Sequence, residues 1–253
     1  MPPISATIIT RNEAKSIARV IHSLEFADEI LVVDAESADD TCHIAAGLGA
    51  RVLVAPWKGF AAQKNFAARE ARHDWILSLD ADEELNSVAQ ASVRTWKASE
   101  PAAEGYRFAR RARYLGRWIA HSGWYPDYKI RLYHRGRCRW VGDFVHESVA
   151  VEGRVQKLAG EILHYTCDSL DDHRQRIEFY TDLAAAEIMS GGASPSAPQR
   201  LAEPPWAFVR SYFLRLGFLD GVEGFWIARM AARYVARRNE KCARLVAREK
   251  GSH

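Results

Sequence analysis

The chain has 253 residues, 48% of them hydrophobic and 26% charged. That suits one large globular domain or a domain with an appendage, and excludes wholesale disorder, a collagen-like fibre and a plain coiled coil. No apolar run reaches the roughly 18 residues that a membrane-spanning helix needs. Met1–Ser5 carries no basic, apolar leader, and Cys42, Cys138, Cys167 and Cys242 lie far apart without a CxxC pair. A cytoplasmic, reducing setting is therefore expected, with no zinc knuckle and no redox pair. The net charge of +3 hides two basic blocks: residues 107–139 hold ten basic side chains against one acidic, and residues 206–253 hold ten against four. Such blocks suit an anionic partner: a phosphorylated substrate, a membrane surface or nucleic acid.

In chain order, Ile4–Thr10 reads as a buried strand, and Ile17, Val20, Ile21 and Leu24 have helical spacing within residues 13–24. Glu29–Asp34 is a second strand ending in an acid. Residues 37–40 open a helix with Ser37 as its cap, and Gly47 and Gly49 end it. Arg51–Val54 is a third strand, residues 60–69 a helix, and residues 74–79 a fourth strand running into Asp80-Ala81-Asp82-Glu83. This alternation predicts an α/β fold with an open, mostly parallel sheet covered on both faces. Gly47-Leu48-Gly49 is no dinucleotide fingerprint, because it sits in a helix-to-strand turn and lacks a third glycine.

Beyond residue 105 the texture is more antiparallel. Strands are expected at 106–113, 128–134, 139–141 and 162–165, with a turn at Gly136 that makes residues 128–141 a hairpin. Residues 169–189 are helical in pattern. Residues 191–205, rich in Gly, Ser and Pro, read as a linker, and 206–246 as one long helix. On that helix Trp226, Met230 and Tyr234 run beside Arg229, Arg233, Arg237 and Lys241. An aromatic row beside a basic row suits an anionic membrane leaflet, and equally suits packing on the sheet or on a second copy of the chain.

In open α/β sheets ligands bind at the carboxyl ends of the strands, where Asp34 and the Asp80/Asp82 pair fall. Two carboxylates on one side of a tight turn are what a hard divalent cation needs when substrate phosphates complete its shell. Trp118, Trp124, Tyr125 and Trp140 accompany the first basic block, and aromatics stack on sugars while arginines fork onto phosphates.

Thr10-Arg11-Asn12-Glu13, Val32-Val33-Asp34 with Ser37, Asp39 and Thr41, Gln63-Lys64-Asn65 and Leu79-Asp80-Ala81-Asp82-Glu83 together resemble the family 2 glycosyltransferases of GT-A fold. Gly123-Trp124-Tyr125-Pro126-Asp127, Arg131-Leu132, Val145-His146-Glu147 and the 217–225 run (GFLDG, then Gly224-Phe225) are similar to the lipopolysaccharide core β-glucosyltransferase branch. The resemblance implies a GT-A catalytic domain over residues 1–167, with a donor half (1–103) and an acceptor half (104–167), followed by a helical extension. It implies an inverting enzyme that moves a sugar, glucose from UDP-glucose first among candidates, onto an anionic glycolipid acceptor. Thr10, Asn12, Glu13, Asp34, Lys64 and Asp80 would hold the donor. Asp80, Asp82 and His164 would hold Mn2+ or Mg2+. Trp124, Tyr125, Arg131 and His146 would meet the acceptor. Glu147 would be the base, with Asp127 as its rival.

Another polysaccharide or a protein remains an alternative acceptor. A nucleotidyltransferase would also place acids and a metal at strand ends, but Thr10–Ala14 lacks its glycine-rich loop. A membrane-surface scaffold or nucleic-acid binder would use the basic blocks, yet nucleic-acid binding requires no acidic strand ends, so no nucleic-acid partner is expected.

Overall fold

Ile4–Thr10 forms β1, buried at every position because the sheet is covered on both faces. Ile4, Ala6 and Ile8 join one core with Val32, Leu77, Leu79 and the helix residues Ile17, Val20, Ala89, Val93 and Trp96. Ile9 joins a second core with Leu31, Val33, Ile76, Ala67 and Ala68. After β1 come α1 (Ile17–His22), β2 (Glu29–Asp34), α2 (Thr41–Gly47), β3 (Arg51–Val54), α3 (Phe60–Glu70), β4 (Trp75–Asp80), β5 (Glu83–Leu85) and α4 (Ser87–Lys97). The chain continues through β6 (Gly105–Tyr114), β7 (Arg117–Trp118), β8 (Asp127–His134), β9 (Cys138–Val141), β10 (Ser148–Val151), β11 (Val155–Cys167), α5 (Leu170–Ser190), α6 (Ala197–Val209) and α7 (Gly221–Gly251). This computed structural model describes residues 1–142, 147–190 and 195–251.

Among the described residues the main sheet runs β3-β2-β1-β4-β8-β6-β11-β5, with β7 paired to β6. The first four strands are parallel, as the alternation predicts, and β8 is antiparallel to both β4 and β6. Register brings the strand ends together: Thr10 lies opposite Asp34, and Ile9 opposite Asp80.

Several local expectations change. The helix expected over 13–24 shortens to α1, because Asn12 takes a positive φ and residues 13–16 turn before the helix begins. Ser37 does not cap α2, which starts at Thr41; its hydroxyl is spent on Asp34 and on the Asn12 backbone. Residues 128–141 are not a hairpin: β8 is built into the main sheet, while β9 pairs with β10 in a separate ribbon.

The chain divides into two units, Met1–Arg111 with Asp127–Tyr165, and Ala112–Pro126 with Thr166–His253. Ala112–Pro126, expected in the acceptor half, groups with the helices because they hold its backbone. Leu115 N–H donates to the Cys167 carbonyl at 2.9 Å, Ser122 N–H to the Arg215 carbonyl at 2.9 Å, and Ala120 and His121 N–H to the Asp220 carboxylate at 3.0 and 2.8 Å. Tyr114, Ile119, Cys167 and Ile227 form this unit's core.

The expected linker over 191–205 is in its latter part helix α6. The Gln199 side chain accepts from the Ser196 N–H, and Pro198 suits the first turn, so the start is well signalled. Pro204 and Pro205 remove backbone donors, yet the helix continues, with Glu203 tied to Arg238 at 2.8 Å and to Asn239 at 2.9 Å. The long helix expected over 206–246 is interrupted by a π turn at Arg210–Leu214 and a 3₁₀ turn at Gly217–Asp220, around Leu216 at φ 54°. The basic row on α7 faces α5: Arg233, Arg237 and Lys241 all reach Glu178, with Arg237 at 2.8 Å.

Candidate active site

The first two motifs lock the β1–α1 and β2–α2 loops together. Asn12 N–H donates to Ser37 Oγ at 2.8 Å, and Ala38 N–H to Asn12 Oδ1 at 2.7 Å. Glu13 N–H donates to Thr41 Oγ1 at 2.8 Å, and the Glu13 carboxylate accepts from Ser16 Oγ. Asp34, buried at the end of β2, accepts from the Ser37 N–H and hydroxyl. Thr10 Oγ1, at the end of β1, is buried with no hydrogen-bond partner among the described residues.

From the end of β4 a chain of alternating charges crosses the sheet. Lys64, on α3, has a fully buried side chain, with Nζ 2.8 Å from Asp80 and 3.4 Å from Glu147. Arg131, on β8, lies 2.8 Å from Asp80 and 2.6 Å from Glu83. Arg110, on β6, continues to Glu83 at 3.2 Å and Asp127 at 2.7 Å, and Lys129 closes on Asp127 at 3.2 Å. Burial would raise the Asp80 carboxyl, but the charges of Lys64 and Arg131 and the Lys64 hydrogen bond prevail and hold it well below the ordinary carboxylate range. Asp127 is likewise lowered: burial opposes, and Arg110 with Lys129 prevails.

Trp140 roofs this chain. Its ring lies 4.3 Å from Lys64 Nζ, and its indole N–H donates to Tyr133 Oη at 2.9 Å. Asn65 clamps the Trp140 backbone in both directions at 2.9 Å, which accounts for the Gln63-Lys64-Asn65 run: the lysine faces inward and the asparagine fixes the strand above it.

The residues expected at the donor, Thr10, Asn12, Glu13, Asp34, Lys64 and Asp80, all lie on or just beyond the carboxyl ends of β1, β2 and β4 or on the facing α3. Arg131, expected at the acceptor, is 3% exposed, and its Nη2 meets both Asp80 and Glu83. Trp140, grouped by sequence with the acceptor aromatics, is also buried. Trp124 and Tyr125 belong to the second unit, where the Trp124 ring packs 5.4 Å from Tyr114 and 6.3 Å from His173. His146 lies outside the described residues. Glu83 and Arg110 carry no role in the sequence reading, yet they hold the centre of the chain. The Asp80-Ala81-Asp82-Glu83 run signals Glu83, since Asp80 N–H donates to its carboxylate at 3.1 Å.

For a cation the fit is partial. Asp80 Oδ2 lies 2.8 Å from Arg131, while Oδ1 lies 2.8 Å from Lys64 Nζ as an ion pair but accepts no hydrogen bond among the described residues. Asp82 and His164 stand 3.2 Å apart on the paired β5 and β11 side. The carboxylate suits Mn2+ or Mg2+ when diphosphate oxygens supply the rest, and the imidazole nitrogen suits Mg2+ less than a transition metal. Among the described residues no three His, Cys, Asp or Glu side chains converge as a complete cage.

This arrangement of parallel strand ends is that of GT-A transferases. The family Glycosyl transferase family 2 matches residues 5–146, more than half the chain. An uncharacterized glycosyltransferase of Rickettsia typhi is 33% identical over 237 residues, covering 89% of this chain and 81% of that protein. The lipopolysaccharide core biosynthesis glycosyltransferase LpsC of Rhizobium meliloti is 31% identical over 239 residues, covering 92% of this chain and 88% of that protein. S. aureus TarS 1-349, solved in complex with UDP-GlcNAc, shares the fold at a TM-score of 0.50 and 14% identity, over 96% of this chain and 92% of that one. The chain belongs to glycosyltransferase family 2 and is a glycosyltransferase of GT-A fold. No helix among the described residues is long and apolar enough to cross a membrane.

Proposed function

We propose that the enzyme transfers a sugar, glucose from UDP-glucose in the first instance, with inversion onto a lipopolysaccharide-core or related anionic glycolipid at a membrane surface. The observation that carries this reading is the buried Lys64–Asp80–Arg131–Glu83 chain, which stiffens the end of β4 directly beside the Asp82–His164 pair. Likeness to LpsC over most of both chains supports the class of acceptor.

In this reading Asp34 and the interlocked Asn12 and Glu13 loop receive the base and ribose, with Thr10 Oγ1 as a spare polar group at the same strand ends. Lys64 and Asp80 fix the floor on which the diphosphate lies. Asp82 and His164 would hold the cation, which as a Lewis acid offsets charge developing on the leaving diphosphate. Glu147 takes the proton of the acceptor hydroxyl as that oxygen bonds the anomeric carbon and the bond to UDP breaks. Asp127 suits this less well, because Arg110 and Lys129 stabilise its ionised form and weaken it as a base.

The test is hydrolysis of a panel of nucleotide sugars, with and without Mn2+, alongside thermal stabilisation by UDP and by other nucleotides. Turnover of UDP-glucose above the rest is expected. Preference for a guanosine or cytidine donor, or stabilisation by nucleic acid in place of UDP, contradicts the proposal.

A further inference from the structure

We propose that the segment from Trp206 to Val222, which turns α6 into α7, is a membrane-docking wedge that seats in the headgroup region of an anionic bilayer. The proposal deepens the reading of a membrane-borne acceptor and rests on it for its purpose, but not for its physical basis.

The segment is built to be rigid and to face outward. Gly217 and Gly224 make its close contacts: a Cβ on Gly224 would lie 1.8 Å from the Gly217 carbonyl oxygen, and one on Gly217 would lie 2.7 Å from Ser122 Oγ and the Ser211 carbonyl. Asp220 is buried and holds the backbone of Ala120 and His121. Behind the turn, Tyr212 packs against Phe208, Phe218 and Phe225 with ring centroids 5.4 to 6.3 Å apart. In the 217–225 run Gly217, Asp220 and Gly224 are therefore inside, while Leu219 and Val222 stand out and Phe218 is packed on one side and open on the other. Phe218 is 45% exposed, Leu219 50%, Val222 67%, Leu214 62%, Phe213 54% and Trp206 55%. So many large apolar side chains, contiguous in one rigid turn, mark a docking surface; singly exposed ones would not.

Charge selects the occupant. Between Trp206 and Val222 the charged residues are Arg210 and Arg215, both exposed, and the buried Asp220. Around the tip stand Arg210, Arg215 and Arg117, whose guanidinium reaches the Leu219 carbonyl at 3.4 Å, against one half-exposed acid, Glu223. This basic excess around an apolar tip complements anionic headgroups over acyl chains. A second copy docked through the same face would set three arginines against three, with one glutamate, Glu223, on each side to answer them. Of the basic row of α7, the surface that sequence spacing offered to a membrane, Arg233, Arg237 and Lys241 are instead engaged by Glu178 of α5, and Arg229 lies over the Trp226 ring.

The test is co-sedimentation of the full chain with vesicles of phosphatidylcholine alone or mixed with phosphatidylglycerol. No glycolipid is present, so an error in the acceptor cannot affect the result. Wild type is expected to bind the mixed vesicles, more weakly as salt rises. Phe218→Ser with Leu219→Ser should weaken partition by roughly 10²-fold while melting temperature and donor hydrolysis stay unchanged. Arg210→Gln with Arg215→Gln should lower binding to the anionic vesicles alone. In case the serine pair perturbs folding, Phe218→Trp provides a second readout: its fluorescence should be quenched by bromine-labelled acyl chains. Absence of wild-type binding, undiminished binding by a folded serine variant, or an unquenched tryptophan overturns the proposal. So does a wild-type dimer that ignores vesicles and that the serine pair converts to monomer.

Discussion

In the first unit Lys64 and Arg131 are sealed under Trp140 among Asp80, Glu83 and Glu147; in the second, Phe213, Leu214, Leu219 and Val222 stand half exposed or more while Asp220 is inside. The two units thus invert the usual distribution in opposite senses. Buried charge is tolerated only when paired, so the chain from Glu147 to Lys129 holds its members in place. Exposed hydrocarbon is tolerated only in small patches, so the rigid turn in the second unit implies a partner. Residue types alone therefore mislead in both units: arginines and tryptophans that suit a surface are buried in one, and phenylalanines that suit a core are outside in the other.

The largest expected effect concerns Glu147, the proposed proton acceptor at the end of the charge chain. Glu147→Gln keeps shape but cannot take a proton, so turnover should fall about 10²- to 10⁴-fold with donor affinity nearly unchanged. Asp127→Asn should cost far less, because its carboxylate already serves Arg110 and Lys129. Steady-state kinetics of both variants sharpen the comparison, and a dead Asp127→Asn beside an active Glu147→Gln reverses the assignment.

Removing the centre of the chain should show how far the first unit depends on pairing. Arg131→Met leaves Asp80 and Glu83 buried without their shared partner, and a loss of about 3–5 kcal/mol in stability is expected from denaturant unfolding. A loss below about 1 kcal/mol, the range of exposed pairs, would show that the pairing is not sealed as described.

A smaller effect belongs to the second unit. Tyr114 Oη lies 2.8 Å from His173 Nδ1, and burial, aided by Arg176 and opposed by Asp172, lowers the His173 pKa to about 4. The folded state therefore favours the neutral ring. This contribution is complete above the unfolded value of 6.5 and is lost as pH falls through about 4. Discounted for solvent screening of a ring that is only partly buried, on the order of 2 kcal/mol should disappear across that window, and His173→Gln should flatten this part of the stability profile measured by urea unfolding. An unchanged slope would mean that the ring is solvated.

The parallel half of the sheet was legible because β1, β2 and β4 are short, mostly apolar runs that end in Thr10, Asp34 and Asp80, and both the layering and the strand-end position of those residues follow from that pattern. What pairs with what across the antiparallel half was not legible. Residues 128–141 show a turn at Gly136, but nothing local reveals that β8 inserts between β4 and β6 while β9 leaves for β10. The burial of Arg131 was hidden for the same reason, since only the long-range pairing of β8 with β4 carries it to Asp80 and Glu83. Pro204 and Pro205 argued for a linker, and a tertiary tie from Glu203 to Arg238 and Asn239 outweighs them.

The central claim is that the ends of β1, β2 and β4, with the Asp82–His164 pair, form a cation-assisted nucleoside diphosphate site. Calorimetric titration of UDP into wild type and Asp82→Asn, each with and without Mn2+, tests it most directly. Wild type should bind UDP at least tenfold more tightly with Mn2+, a difference of about 1.4 kcal/mol, and Asp82→Asn should lose that increment while keeping its metal-free affinity. Equal UDP affinity with and without Mn2+ in wild type, or an undiminished Mn2+ effect in Asp82→Asn, would contradict it.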